Sequence, residues 1–280
     1  MLTKLTTKPD VVDQLPPAPR RRRWLVQQYQ RRERLVFGVL MVCALLGIWQ
    51  AAAKLGWVNE AFTSSPSAIW TTSLKYFGSG GQGWADLWAS GQEFLYGFLI
   101  SVLLGVPVGL LMGWYPRLDG LLNPIVLFLN NIPRIAIAPL FVIWFGIGMQ
   151  SKLWVIVLGA IVPIIVNARA GVVTIEPSLI AMARSYGASD SRVLRTVVLP
   201  GSVPAICSGL RLGIGHALLA VVLAEFIAAT EGLGYVVNSA AATFNTNVLF
   251  VAVLVIAALG MAVTGLLTIV ERYFQRWRTG

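Results

Sequence analysis

The sequence predicts an all-α membrane protein with six transmembrane helices, both termini cytoplasmic, and two short helices in the loop between spans four and five. Composition carries the first half of that statement. Of 280 residues, 56% are apolar and only 12% are charged, against about 25% charged in an ordinary soluble domain. So few charges cannot coat a water-soluble surface. Apolar runs of 18 or more residues carry the second half, because about 20 such residues cross the hydrocarbon core as a helix.

The runs are Leu35–Ala53, Phe94–Gly113, Leu121–Gly148, Leu153–Gly171, Val203–Ala229 and Val248–Val270. The third is interrupted by Asn130, Asn131, Pro133, Arg134 and Pro139 and reads as one broken span. Residues 1–34 form a separate segment, a polar, proline-rich tail that becomes basic at Arg20–Arg23. It reads as a disordered tail leading to a membrane-surface stretch, ahead of a transmembrane domain over 35–280. The tail is too long and too charged to be a signal peptide.

Six spans put both termini on one side, and positive charge selects the side. With the N-terminus inside, sixteen Lys and Arg lie in inner segments, against Lys54, Lys75 and Lys152 outside. Arg134, Arg169 and Arg211 fall within spans or at their ends. The same distribution argues against nucleic-acid binding, since the net charge of +10 follows topology rather than one soluble face. Lys54–Glu93 becomes the main external excursion, with a helix start at Pro66-Ser67 and a turn at Gly78–Gly83. Trp49, Trp57, Trp114 and Trp154, near span ends, suit interfacial anchoring. Cys43 and Cys207 read as small buried hydrophobes.

Residues 173–206 are the most polar stretch of the body. A simple connection needs about four residues, so this length calls for a role. Ser178–Tyr186 has helical spacing, Gly187 breaks it, and Ala188-Ser189-Asp190 offers a cap for a second short helix, Ser191–Val198, ending at Pro200. Two short helices at an angle make a knob suited to a partner's groove.

These residues resemble the binding-protein-dependent transport permeases, the membrane subunits of ATP-binding-cassette importers. That family carries Glu-Ala-Ala, three residues, Gly, nine residues, Ile-x-Leu-Pro. Here Ala181-Met182-Ala183 stands at the Glu-Ala-Ala place, and Gly187 is followed, after nine intervening residues, by Val197-Val198-Leu199-Pro200. The glutamate is missing. Pro133–Gly148, Gly209–Gly213, Ala224-Glu225 and Thr230–Gly234 are similar to the nitrate, sulfonate and taurine subfamily. The resemblance implies a bacterial inner-membrane permease that works with two cytoplasmic ATPases, an external solute-binding protein and a second permease copy. It implies docking of the ATPase through 173–202, at Ala181, Met182, Ala183, Ser185, Tyr186, Gly187, Ala188, Ser189, Leu199 and Pro200.

The chain lacks the phosphate-loop pattern of an ATPase, so ATP and Mg are expected on the partner and no cofactor on this chain. With one histidine and scattered carboxylates, neither a catalytic set nor a metal site is expected. Charges within the bilayer cost about 3 kcal/mol or more each and default to functional candidates. Asn130, Asn131, Arg134 and His216 are therefore the candidate translocation path. Arg134 reads either as a forked donor to a small anion or as a structural contact, and His216 as a packed residue or a path residue. Glu225 leans structural. Gly105 with Gly109, and Gly209 with Gly213, have the four-residue spacing of close helix contacts. A secondary transporter or channel explains the six spans equally well, but not the knob.

Overall fold

The computed structural model describes residues 20–275. The described residues are helical or loop, with no strand among them. The proline-rich part of the tail, residues 1–19, lies outside them, as do Arg276 and Arg278. Chain contacts divide the protein into a unit ending at Val58 and one beginning at Asn59. Among its described residues the first holds one 35-residue helix, α1 (Arg20–Lys54), whose segment Val36–Lys54 is long and apolar enough to span. The expected surface stretch 20–34 is continuous with this helix.

The second unit begins with α2 (Glu60–Thr63) and α3 (Pro66–Tyr76), followed by α4 (Gly83–Trp114), α5 (Pro116–Asn131), α6 (Arg134–Phe145) and α7 (Met149–Val173). Then come α8 (Pro177–Ser185), α9 (Asp190–Val193), α10 (Leu199–Ala228), α11 (Leu233–Ala242) and α12 (Thr246–Gln275). Among the described residues, five helical segments are long and apolar enough to cross a membrane, and α5 with α6 adds a sixth if the bent pair counts as one span.

α7 is the centre of the second unit. Its buried side includes Ile156, Ala160, Val162, Ile164 and Ala168, each at most 1% exposed. α4 lies parallel to it and α10 antiparallel, and small residues let both approach. A methyl group placed on Gly97 would meet Ile156; on Gly105, Ile164; on Gly109, the Ile165 carbonyl and Ala168; on Gly113, Val172. Ser101 completes this four-residue rhythm, with its buried hydroxyl donating to the Gly97 carbonyl at 2.7 Å. On the other side, Gly209 and Gly213 of α10 abut Asn167 and Ile164. The two glycine pairs expected from spacing thus serve the same helix, and α4 carries twice as many as expected. Without such residues the helix axes could not come close enough for dispersion contacts to hold them together in lipid.

Three expectations need correction. Span two was placed from Phe94, but α4 starts at Gly83. Its first turns are polar yet helical, because Asp86, Ser90 and Glu93 fall on the same buried face as Gly97. Lys152 was counted as an external loop charge, but it lies inside α7 and is buried. The second loop helix was expected to end at Pro200. Instead α9 runs through a π-helical turn, Leu194–Val198, into α10. Leu199 N–H bonds the Leu194 carbonyl five residues back. A proline in a helix loses one hydrogen bond and crowds the preceding turn. At Pro200 that demand falls in the first turn of α10, just beyond the widened turn, so the helix does not stop.

The break expected in span three is present. Ile132 and Pro133 are extended, with ψ of 128° and 103°, and α5 and α6 meet at 101°. Proline drives the residue before it out of the helical region, which explains Ile132. Pro139 breaks nothing, since α6 continues through it to Phe145.

Candidate docking and translocation sites

The loop between α7 and α10 folds as a corner. Gly187 takes φ +79°, a left-handed conformation that costs a residue with a side chain about 1–2 kcal/mol. There Ala188 N–H bonds the Ala183 carbonyl at 3.1 Å and Gly187 N–H the Arg184 carbonyl at 2.9 Å, closing α8 with a six-to-one bond. Arg184 bridges to Asp190 at 3.0 Å across the corner, and its guanidinium lies 5.9 Å from the Trp114 ring at the end of α4. Beneath the corner Val172, Val193 and Val198 form a buried cluster.

The expected docking residues divide by burial. Ala183 and Ala188 pack against that cluster. Ala181, Met182, Ser185, Tyr186, Gly187, Ser189, Leu199 and Pro200 are exposed. Tyr186 is 86% exposed and, with Met182 and Leu179, leaves an apolar ridge without cover in this chain. An exposed ridge of this kind marks an interaction surface.

The path candidates divide as well. Arg134 opens α6 and His216 sits midway along α10, and the fold brings Arg134 Nη1 to 2.8 Å from His216 Nδ1. Arg134 Nε is buried without a hydrogen-bond partner among the described residues. Asn130 and Asn131 are exposed at the end of α5 and do not join this pair; Asn131 donates to its own helix at the Leu127 carbonyl, 2.8 Å away. The two arginines not singled out make carboxylate bridges between helices. Arg169 holds Asp119 of α5 at 2.5 and 2.7 Å, and Arg211 holds Glu271 of α12 at 2.6 Å.

A larger polar cluster, at the opposite end of α7 from the corner, escaped the sequence reading. Lys152 and Glu93 form a buried ion pair between α7 and α4. Next to it, three successive N–H groups at the start of α11 are taken by side chains. Gly232 donates to Asp86 at 2.9 Å, Leu233 to Ser90 at 2.8 Å, and Gly234 to Glu225. Ser90 in turn donates to Glu225 at 2.5 Å, and Tyr76 to Asp86 at 2.6 Å. Burial first, then the hydrogen bond to Asp86, pushes the Tyr76 phenol above its ordinary range, so the hydroxyl stays a donor. The signal was present in α4, where Asp86, Ser90, Glu93 and Gly97 share the helical face of the small residues.

Residues 105–277 match the family model described as the binding-protein-dependent transport system inner membrane component. That match covers more than half of the chain. The protein belongs to this family. The permease is 37% identical to the taurine transport system permease protein of Escherichia coli over 251 residues, covering 88% of this chain and 90% of that protein. It is 34% identical to the putative aliphatic sulfonates transport permease protein of the same organism over 240 residues, 83% of this chain and 88% of the other. Its fold is similar to that of a solved chain of the MetNI methionine ABC transporter, in an inward-facing conformation, with a TM-score of 0.61 at 19% identity. That alignment covers 68% of the permease and 94% of the solved chain. The permease is accordingly a multi-pass inner-membrane component of a transport system, and its long apolar helices are its membrane-spanning part.

Proposed function

We propose that this permease carries a small sulfonate-type anion, of which taurine is an example, across the inner membrane toward the cytosol. ATP hydrolysis on a separate subunit drives the step. The assembly is two copies of the permease, two cytoplasmic ATPases that hold ATP and Mg, and an external binding protein that delivers the solute. The permease itself binds no cofactor and performs no catalysis. Both termini and the α8–α9 corner face the cytosol, in keeping with the excess of Lys and Arg in those segments. Removing Lys152 from the loop charges leaves two on the opposite side and strengthens that bias.

The observation that carries the reading is the uncovered ridge of Leu179, Met182 and Tyr186 on a corner stiffened by Gly187 and the Arg184–Asp190 bridge. A ridge on a short helix fits a groove on a partner. The ATPase docks there, with Ala181, Ser185, Ser189, Leu199 and Pro200 at the rim. Relatives named for taurine and aliphatic sulfonates support the substrate class. Asn130, Asn131, Arg134 and His216 line the path, with Arg134 the cation that an anion meets within the membrane.

Copurification tests this. An ATPase subunit that follows the wild-type permease is lost when Met182 and Tyr186 are both changed to Ala, while the permease still inserts. Sulfonate uptake that survives removal of every ATPase and follows an ion gradient overturns the reading in favour of a secondary transporter.

A further inference from the structure

An arginine side chain has five N–H donors and no acceptor. The 2.8 Å contact between Arg134 Nη1 and His216 Nδ1 therefore requires the imidazole to present a lone pair at Nδ1. His216 is then neutral, with its proton on Nε2. The contact occupies one amino group of the guanidinium and leaves the edge formed by Nε and Nη2. On that edge Nε is buried and makes no hydrogen bond among the described residues.

Charge points the same way. The described ion pairs join Lys152 to Glu93, Arg169 to Asp119, Arg184 to Asp190 and Arg211 to Glu271. Each of these cations meets a carboxylate; Arg134 meets a neutral imidazole instead. A buried N–H without an acceptor and a cation without an anion are both satisfied by one oxyanion group.

We propose that the Nε–Nη2 edge of Arg134 seats the oxyanion head of the solute during passage, two parallel N–H groups donating to two oxygens of one sulfonate. His216 acts as a positioning residue: by accepting at Nδ1 it occupies Nη1 and leaves the other edge for the ligand. The pair presents donors only, Arg134 N–H groups and the His216 Nε2–H, so it holds the sulfonate end of a zwitterion and gives nothing to an ammonium group. Ethanesulfonate, which lacks the amine of taurine, is seated equally well. The site rests on the importer reading given above and specifies which part of the solute is recognised.

The test is uptake of taurine and ethanesulfonate into proteoliposomes holding the permease with its ATPase and binding protein. Arg134→Lys keeps the charge but loses the paired donors, and uptake of both solutes falls about tenfold or more. His216→Asn keeps an acceptor near the Nδ1 position and stays near wild type, while His216→Phe raises KM for both solutes. Throughout, the ATPase still responds to the loaded binding protein and the melting temperature of each variant stays near wild type. Arg134→Lys at the wild-type rate overturns the proposal, as does loss of uptake accompanied by lowered melting and loss of the ATPase response, which marks a structural contact. Wild-type assemblies that show no ATP-driven uptake of either solute defeat the importer reading itself, a result separable from any variant effect.

Discussion

Ser90 Oγ lies 2.5 Å from Glu225 Oε1, a buried hydrogen bond that joins residues 135 positions apart on α4 and α10. Ser90 also accepts from Leu233 N–H, and Glu225 from Gly234 N–H, so two side chains cap the start of α11. Gly232, at the cap position, has no side chain with which to cap the helix. Helix N-termini present N–H groups that need acceptors, and here tertiary partners supply them. α11 is thereby tied to the two helices that flank α7.

Glu225→Ala leaves Gly234 N–H and the Ser90 hydroxyl buried without their partner, at a cost of about 1–3 kcal/mol for each stranded group. Ser90→Ala strands Leu233 N–H and takes the hydroxyl donor from the buried Glu225 Oε1, again at about 1–3 kcal/mol for each stranded group. Thermal unfolding of the purified permease in detergent should show both variants melting lower. Equal melting to wild type for Glu225→Ala would remove the capping role.

The buried Lys152–Glu93 pair behaves differently from a surface bridge. Lys152→Met alone leaves a buried carboxylate without its cation, worth about 3–5 kcal/mol of destabilisation. Lys152→Met combined with Glu93→Leu removes both charges and should recover most of that loss. A double-mutant cycle of melting temperatures reads the coupling, and additive losses would show that the two groups do not depend on each other.

Close packing of α4 on α7 makes its glycines unequal. At Gly109 an added methyl would stand 2.5 Å from the Ile165 carbonyl and 2.7 Å from Ala168, whereas at Gly91 it meets nothing. Gly109→Ala should separate the helices and lower stability, with overpacking costs of about 1–3 kcal/mol. Gly91→Ala should be neutral or stabilising by up to about 1 kcal/mol, since alanine loses less chain entropy in a helix. Protease resistance of the two variants in membranes distinguishes them, and equal sensitivity would contradict the stripe.

The break between α5 and α6 was legible because its cause is local. Proline at 133 excludes the helical conformation at Ile132 whatever surrounds it. The corner at Gly187 was legible for the same kind of reason, a single residue whose backbone tolerates φ +79°. The angle between α5 and α6 was not, because local conformation permits many directions after an extended pair. Nor was the continuation of α9 into α10, where a π turn accommodates a proline that by itself signals an ending. Lys152 read as a loop charge because a lone lysine at a span boundary looks the same whether it faces water or a buried carboxylate.

By itself the sequence determined the class of this protein: apolar runs long enough to cross a bilayer, positive charge gathered outside those runs, and a polar interruption at residues 173–206. Those properties are sums over neighbouring residues, and neighbours are what a sequence lists. Only the tertiary structure decided that α4 and α10 share α7, that Lys152 meets Glu93, and that Arg134 meets His216 across 82 residues. In lipid the apolar faces of helices are nearly interchangeable, so which helices adjoin depends on small residues and buried polar partners matching in three dimensions.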